Sequence, residues 1–472
     1  MVDPRPSRSI RAPVRCGSWG HVFLPILALL SALTWCPARA QARSTPRDQP
    51  SEWTRALKDI PLGPLRLSLG AELRLRFESD HQFDVRGYAP GTRDHFLLER
   101  FRLTHDLRWK HWVRLFVELR DAHIFGSQLD RADFPNRNPV EDSLDIRQAY
   151  LEAFFDPSHV FGVRVGRQQI GYGDARVFGP GTWGNTGRYV WDAAMLKLRL
   201  RYLQLDLWAG RFVVNSPQDW PNRWSDAPTA FVAYAKIRRL PLRLDFFYAL
   251  KLDWRGQTAG ESGAGDLQSH SVGFQLQGTL HRGLFDYGAT FVTQVGRWGP
   301  DQLLAFGANA KLGFVMPAPW RPRLGVQLTW GSGDRDATDG VHGTFDGVFG
   351  GADLSRYGQM NLFFWANLRD YEIDFAVRPR HGLKVLVEYH FFTLDEATDA
   401  WYTTGLKPLR QDPTGAAGSE LGHEIDVRIH WSPLPELALL MGYSHFFPGR
   451  FARSTPGAAH ADWVMLQAKY GF

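Results

Sequence analysis

The sequence predicts an all-β protein, a transmembrane up-and-down antiparallel β-barrel of about 18 strands with short periplasmic turns and long extracellular loops. Three observations predict it. The chain begins with a segment typical of a secretory leader, it continues in segments that alternate apolar and polar residues, and short and long connections alternate between those segments.

The leader covers residues 1–40. Arginines precede an apolar stretch from Val22 to Leu33, and Ala38-Arg39-Ala40 has the small residues of a cleavage site. Both cysteines, Cys16 and Cys36, lie inside this segment, so we expect no disulfide in the mature chain. Residues 41–64 are predicted to form a periplasmic N-terminal segment.

The charge of the mature chain is nearly balanced. Of 55 basic and 49 acidic residues the leader holds five arginines and one aspartate, which leaves 50 against 48. This balance gives no reason to expect a nucleic-acid partner. Aromatic residues make up 14% of the chain, yet beyond the leader no apolar run approaches the ~20 residues of a membrane-spanning helix.

The first barrel strand is the stretch LRLSLGAELRLRF at residues 65–77. Its odd positions are apolar and its even positions are polar, charged or glycine. Successive side chains of a strand point to opposite faces, so Leu65 and its odd-numbered companions are expected to face lipid and Arg66 and the other even positions the interior.

The same pattern predicts a barrel over residues 65–472. Strands are expected to begin near residues 65, 94, 112, 143, 160, 191, 203, 229, 242, 269, 284, 304, 323, 361, 383, 422, 437 and 461. Eight short connections are predicted near residues 110, 156, 202, 239, 281, 318, 380 and 434. Nine long ones are predicted at 79–93, 123–142, 171–190, 213–228, 252–268, 295–303, 333–360, 394–421 and 448–460. A soluble sandwich is the alternative, but it rarely sustains so many strands.

Aromatic residues are expected to form girdles at both membrane interfaces. They flank the short turns and the opposite strand ends: Trp109, Trp112, Phe154, Phe155, Phe161, Tyr202 and Trp431 on one side, Trp191, Tyr389, Phe391 and Tyr443 on the other. The last strand, ADWVMLQAKYGF, resembles the C-terminal assembly signal of bacterial outer-membrane proteins. We therefore expect the outer membrane of a Gram-negative-type bacterium, with the lipid bilayer, lipopolysaccharide and the barrel-assembly machinery as partners. Nothing in the sequence fixes the oligomeric state.

A barrel this wide encloses a water-filled channel unless something plugs it. Its predicted inward face is rich in cations, chiefly Arg66, Arg74, Arg76, Arg100, Arg102, Arg114, Arg164, Lys197, Arg199, Lys311 and Lys384. Cations dominate the first third of the chain and acids the last third, so one wall is expected to be basic. Arginines in series select anions because the guanidinium binds carboxylate in a forked geometry. The alternative is that these residues form salt bridges that keep the wall wet and rigid.

Two blocks resemble the alginate-export family of outer-membrane barrels: VRVGRQQIGYGDARVFGPGTWGNTGRYVWDAA at residues 163–194 and GSGDRDATDGVHGTFDGVF at 331–349. The resemblance implies an 18-stranded barrel that passes an anionic polysaccharide through a basic lumen. It adds Arg167 and Arg188 to Arg164 as residues of the first block that would contact the anion. Gating would fall to loops 123–142, 333–360 or 394–421, or to segment 41–64.

The leading hypothesis is a channel for an alginate-like polysaccharide or another anionic solute, and the alternative is a general or small-carboxylate porin. An outer-membrane hydrolase is less favoured, since Ser444 and His445 are strand neighbours that point oppositely and no G-x-S-x-G motif occurs. We predict no enzyme activity and no cofactor.

The loop GDRDATDG resembles a calcium-binding loop, with Asp334, Asp336 and Asp339 as candidate ligands. It departs from the calcium spacing because Thr338 stands where a third aspartate belongs and Phe345 replaces the closing glutamate. We expect these aspartates to bond backbone amides in turns instead.

Overall fold

The computed structural model describes residues 50–134, 137–350 and 356–472, so the predicted leader and residues 41–49 lie outside the described residues. The described chain forms 18 barrel strands: β1 Leu65–Asp84, β2 Gly87–Trp109, β3 Val113–Phe125, β4 Asp142–Phe154, β5 Phe161–Gln168, β6 Trp191–Arg199, β7 Leu203–Val213, β8 Trp224–Ile237, β9 Arg243–Gly260, β10 Gly263–Leu280, β11 Phe285–Trp298, β12 Asp301–Val315, β13 Arg323–Gly331, β14 Leu368–Arg380, β15 Leu383–Thr393, β16 Glu420–Leu434, β17 Leu437–Pro448 and β18 Ala461–Gly471.

Each strand pairs antiparallel with the next, and β1 pairs with β18 from Glu72↔Gly471 to His81↔Asp462, which closes the sheet. Closure leaves no unpaired sheet edge in the hydrocarbon, where an unpaired amide is very costly. The predicted 18-stranded barrel is confirmed. No helix of the described chain is long and apolar enough to cross a bilayer.

The period-two pattern separates the two faces as expected. On β1, Leu73, Leu75 and Phe77 are exposed on the outside, whereas Arg74 and Arg76 between them are buried. Trp109, Phe155, Tyr202 and other aromatics near the turns are also exposed. The expectation for Trp191 is wrong: it is 1% exposed and packs in the lumen with Trp208, at 5.0 Å between ring centroids.

Three of the nine connections predicted to be long are two-residue turns, at residues 85–86, 261–262 and 299–300. The flanking strands run past the membrane and reach 23 residues in β2. Beyond the apolar belt both faces of a strand meet water, so the alternation fades although backbone pairing continues. The sequence pattern therefore ended these strands too early.

The described part of the N-terminal segment lies at the rim of the short turns. Residues Glu52–Ala56 form helix α1, and Ser51 N donates to Glu436 Oε1 in the β16–β17 turn at 2.7 Å. A short strand, Ile60–Leu62, pairs with β1 from Ile60↔Leu67 to Leu62↔Leu65, just beyond the end of β18. It covers the edge that β18 leaves open.

The large apolar cluster lies inside the barrel, because two connections fold into the lumen. We call residues 169–190, between β5 and β6, inner loop 1, and residues 332–350 with 356–367, between β13 and β14, inner loop 2. Both contribute buried aromatic residues to one cluster with inward side chains of the wall: Tyr172, Phe178, Phe345, Phe349, Phe363 and Trp365 from the loops and Trp191, Trp208, Tyr234, Phe247, Phe392, Phe446 and Trp463 from the strands. Inner loop 2 was among the expected gating loops, whereas inner loop 1 was not.

We predict that Leu73→Arg destabilises the barrel by about 2–4 kcal/mol, because it places a charge on the lipid face near the middle of the apolar stretch. Urea unfolding in lipid vesicles measures this. Leu65→Arg, on the same face at the rim, is the control, with an expected loss of about 0–1 kcal/mol. Equal losses for both variants would contradict the assignment of this face to lipid.

Candidate functional site

Arginines of β1 and β2 hold inner loop 1 inside the barrel. The Arg74 guanidinium donates to Trp183 O at 3.0 Å, to Gly184 O at 3.4 Å and to Asn185 Oδ1 at 2.9 Å. Arg100 donates to Thr182 O at 3.0 Å and forms an ion pair with Glu72 at 2.7 Å. The backbone carbonyls of inner loop 1 therefore accept hydrogen bonds from guanidinium groups that the sequence analysis expected to bind an anion.

Arg76 contacts both the backbone and the side-chain ring of Trp183 in the same loop. It donates to Trp183 O at 2.9 Å, and its guanidinium carbon lies 3.9 Å from the Trp183 ring centroid. Its Nε pairs with Glu78 at 2.6 Å. A guanidinium stacks well on an indole because the ring face is negative.

Asn185, which the sequence analysis did not single out, and Arg120, which the alternation of β3 places on the inward face, complete this attachment. Asn185 Nδ2 lies within hydrogen-bond distance of Glu99 O and His123 O at 3.0 Å and of Val140 O at 2.8 Å. Arg120 is fully buried and contacts Thr186 O and Asp142. The glycine-rich block GPGTWGN indicated a segment whose backbone carbonyls lack strand partners. Nothing in the sequence indicates that these carbonyls face the lumen.

Four other predicted lumen cations pair with acids on strands one or two positions away in the sheet. Arg102 lies 3.6 Å from Glu118, Arg114 binds Asp106 at 2.9 Å, and Arg164 binds Glu152 at 3.0 Å. Lys197 also pairs with Glu152. These contacts fit the alternative interpretation, in which the charges brace the wall.

The remaining predicted residues are dispersed. Arg66 lies at the rim, half-exposed, 3.7 Å from Asp59. Arg167 binds Asp192 at 2.9 Å, and Arg188 lies 5.0 Å from the Phe364 ring. Arg199 lies 4.7 Å from the Phe154 ring. The structure therefore brings Arg74, Arg76 and Arg100 together on one loop and does not gather the others. Their role in anion passage stays a prediction.

Inner loop 2 is held from other sides of the lumen. Lys251 on β9 binds Asp346 at 2.6 Å, and Gln294 Nε2 on β11 donates to Asp346 Oδ1 at 2.7 Å. Burial alone would raise the pKa of the Asp346 carboxyl, but the Lys251 cation and the hydrogen bonds outweigh it and hold that pKa below its ordinary value. Asp346 therefore anchors the loop as a carboxylate.

The two inner loops meet inside the barrel. Phe178 and Phe349 form a parallel bridge, in which Gly179 N donates to Phe349 O and Phe349 N donates to Val177 O, both at 3.1 Å. Arg176 of inner loop 1 also reaches Gln327 Oε1 and Thr329 Oγ1 on β13, at 3.3 and 3.4 Å. Since inner loop 1 is attached to β1 and β2, this network crosses the lumen.

The far end of inner loop 2 rests on an acidic wall of buried inward residues: Asp370 and Glu372 on β14, Glu388 and His390 on β15, and Glu424 and Asp426 on β16. Gln359 N donates to Asp426 Oδ2 at 3.2 Å and Met360 N to Glu424 Oε1 at 3.1 Å. Gly358 has φ +78, and a Cβ there would lie 2.5 Å from Glu424 Oε1. Only glycine allows this approach.

Two adjoining cavities, of about 510 and 690 Å³, open on the inner face of β8 to β15. Both are lined by Thr279, Asp286 and Lys311. Within the described chain, five of their lining cations have no carboxylate within 4 Å: Lys236, Lys311, Arg321, Arg378 and Lys384. We call these five the vestibule cations. Sequence reasoning placed the basic wall on the first strands, whereas these unpaired cations lie on the opposite side.

The candidate calcium loop makes the turn contacts expected of it. Asp334 Oδ1 accepts from Asp336 N at 3.2 Å, Asp336 Oδ1 from Thr338 N at 3.1 Å, and Asp339 Oδ1 from Val341 N at 2.8 Å. Among the described residues, the groups with metal-binding geometry lie elsewhere, on the acidic wall.

We predict that Arg74→Gln combined with Arg100→Gln frees inner loop 1. Charge-assisted hydrogen bonds contribute about 1.5–3 kcal/mol each, so the barrel should lose roughly 3 kcal/mol or more in stability, and single-channel conductance should rise. Arg66→Gln removes an inward arginine of the same strand that does not contact the loop and should change neither. Unchanged conductance in the double variant would contradict the anchoring role.

We also predict that Gly358→Ala destabilises inner loop 2 by about 1–3 kcal/mol, because it adds a clash with Glu424 to the strain of a left-handed residue. Gly340→Ala is the control, since Gly340 has φ +75 but a Cβ there meets nothing within 4 Å. In thermal unfolding of the refolded barrel, Gly358→Ala should have a lower midpoint temperature than Gly340→Ala. The reverse order would argue against the contact.

Solved barrels from Pseudomonas aeruginosa share this fold. OccK8 (OprE) aligns with a TM-score of 0.57 at 12% identity, over 86% of this chain and 98% of that one. OccK11 (OpdR) aligns with a TM-score of 0.55 at 14% identity, over 86% and 96%, and the outer membrane protein OprD with 0.54 at 10%, over 86% and 94%. At these identities the likeness shows the fold alone. The search of curated proteins gave no sequence match.

The alginate export family model matches residues 65–465, nearly the whole barrel. That range includes both sequence blocks and both inner loops and ends within β18. The chain therefore belongs to the alginate-export family and is an outer-membrane β-barrel channel.

Proposed function

We propose that this channel passes an anionic polysaccharide, alginate-like in its carboxylates, or another anionic solute. The observation that carries the proposal is the set of vestibule cations, which face two adjoining cavities without carboxylate partners. An unpaired cation beside water attracts a passing carboxylate, and several in sequence bind it weakly enough to release it.

The predicted arginines of the first strands contribute differently in this proposal. Arg74, Arg76 and Arg100 are engaged with inner loop 1, and Arg102, Arg114, Arg164 and Lys197 with acids. Arg74, Arg76 and Arg100 become available to an anion when inner loop 1 moves, whereas the other four stay paired with acids of the wall. A polymer would then meet basic residues on both sides of the lumen, in place of the loop carbonyls.

Passage of a polymer requires the inner loops to swing out of its path. They are held by hydrogen bonds and by the Phe178–Phe349 bridge, with no covalent bond between them. A channel narrowed in this way passes small ions but holds back larger solutes while idle. We propose no covalent chemistry, and we propose delivery to the membrane by the assembly machinery that reads the last strand.

The second candidate is a porin for small carboxylates. The observation that favours it is the meeting of both inner loops across the lumen, which narrows the space between the walls. In this alternative the loops stay in place and small anions pass beside them. The two candidates differ in their response to oligo-alginate.

We predict that the refolded channel in a planar bilayer is anion-selective, and that Lys311→Gln with Lys384→Gln lowers the ratio of anion to cation permeability. A unit charge about 10 Å from the ion path contributes about 0.4 kcal/mol in water, with opposite signs for an anion and a cation, so each change should alter the ratio roughly fourfold at low salt. Arg223→Gln with Arg297→Gln removes two exposed cations that do not line the cavities and should leave the ratio unchanged. Cation selectivity of the native channel would overturn the proposal.

Oligo-alginate decides between the two candidates. Concentration-dependent block by the oligomer, absent with neutral dextran of the same size and weakened in Lys311→Gln with Lys384→Gln, supports passage of the polymer. Anion selectivity with no response to the oligomer supports the small-carboxylate porin.

A further inference from the structure

We propose that Glu388, His390 and Asp426 bind one divalent transition-metal cation inside the lumen, at the junction between the acidic wall and inner loop 2. One donor atom from each side chain lies within 4.8 Å of the others, and all three residues are buried. Glu388 and Asp426 face each other on paired strands, and His390 follows two positions along β15 on the same face.

The orientation of His390 fits a metal ligand. Its Nδ1 lies 2.9 Å from Asp370 Oδ1, a hydrogen-bond distance, whereas its Nε2 lies 3.6 Å from Asp426 Oδ2, beyond one. A proton on Nδ1, bound by Asp370, leaves the Nε2 lone pair free toward Asp426. Metal-binding histidines commonly have this carboxylate behind the ring, which fixes the tautomer and makes the nitrogen more basic.

Buried polar atoms without partners surround this point, which is the second observation. Asp370 Oδ2, Glu424 Oε2 and Asp426 Oδ1 have no hydrogen-bond partner among the described residues. The same holds for Ser444 Oγ, which lies directly across from Asp426 on β17, and for both ends of the Gln359 side chain, which is 1% exposed. Because buried polar atoms nearly always have a partner, this concentration of unpartnered atoms indicates a missing ligand.

The charge of the cluster leads to the same conclusion. Arg428 pairs with Glu388, but in the described chain no Lys or Arg lies within 4 Å of Asp370, Glu372, Glu424 or Asp426. Four buried carboxylates that share one histidine repel each other in a medium that screens weakly. A divalent cation would offset this repulsion, and buried charges in proteins are ordinarily paired or bound to metals.

The donor set indicates the class of metal. One imidazole nitrogen and two carboxylates suit Zn²⁺ or Mn²⁺ better than Ca²⁺, which prefers six to eight oxygen ligands. Asp426 also accepts from Gln359 N, so the cation would sit where inner loop 2 rests on the wall. This inference stands apart from the substrate proposal, because it depends on the acidic wall and inner loop 2 and not on the vestibule cations.

The test is metal content after refolding with Zn²⁺ and desalting, measured by inductively coupled plasma mass spectrometry. We expect one zinc per native chain. His390→Gln and Asp426→Asn should reduce zinc retention at least tenfold, and Asp370→Asn should weaken zinc affinity about 10–100-fold. Asp206→Asn, which changes a buried inward carboxylate on β7 outside the cluster, should keep the zinc.

Folding of every variant is checked by heat-modifiable migration in gels. Should His390→Gln or Asp426→Asn fail that check, X-ray absorption of the zinc-loaded native barrel decides, with one imidazole nitrogen and carboxylate oxygens expected around the metal. A folded native barrel that retains no zinc, retention unchanged in folded His390→Gln, or zinc without imidazole coordination would each overturn the proposal. None of these results alters the anion selectivity expected of the vestibule cations.

Discussion

The structure depends on hydrogen bonds from wall guanidinium groups to the backbone carbonyls of inner loop 1. Arg74, Arg76 and Arg100 are buried and bind the segment from Thr182 to Asn185, and charge-assisted bonds are strong in buried surroundings. Phe178 of inner loop 1 then forms a backbone bridge with Phe349 of inner loop 2, so the same arginines also help to position inner loop 2. Without the two inner loops, an 18-stranded wall would surround an open pore.

Charged residues on different sides of the lumen have different roles. The arginines of β1 and β2 hold inner loop 1, and the acids of β14 to β16 receive the other end of inner loop 2. The vestibule cations are the ones that meet solute in the proposed function. A channel that both closes and selects needs both kinds of charge, because a cation already bound to carbonyls offers little to a passing anion. The proposed metal on the acidic wall would join the closing half of this arrangement.

The alternation of apolar and polar residues specifies much of the barrel. Leu73, Leu75 and Phe77 lie outside and Arg74 and Arg76 inside because side chains of a strand alternate, and the lipid requires every strand edge to be paired. The same pattern predicted ends of β1, β9 and their partner strands that are several residues too early, since beyond the membrane nothing forces one face of a strand to be apolar. It also placed Trp191 in a girdle, although its ring packs against Trp208.

The sequence by itself determined the number of strands, their faces, their closure into a barrel and the family. Only the tertiary structure decided which loops enter the lumen and which cations stay free, because those outcomes rest on contacts between residues far apart in the chain. Arg74 and Trp183 are 109 positions apart, and Asp426 and Gln359 are 67. No local pattern records such pairs, since a carbonyl or an amide of any residue type can supply the partner.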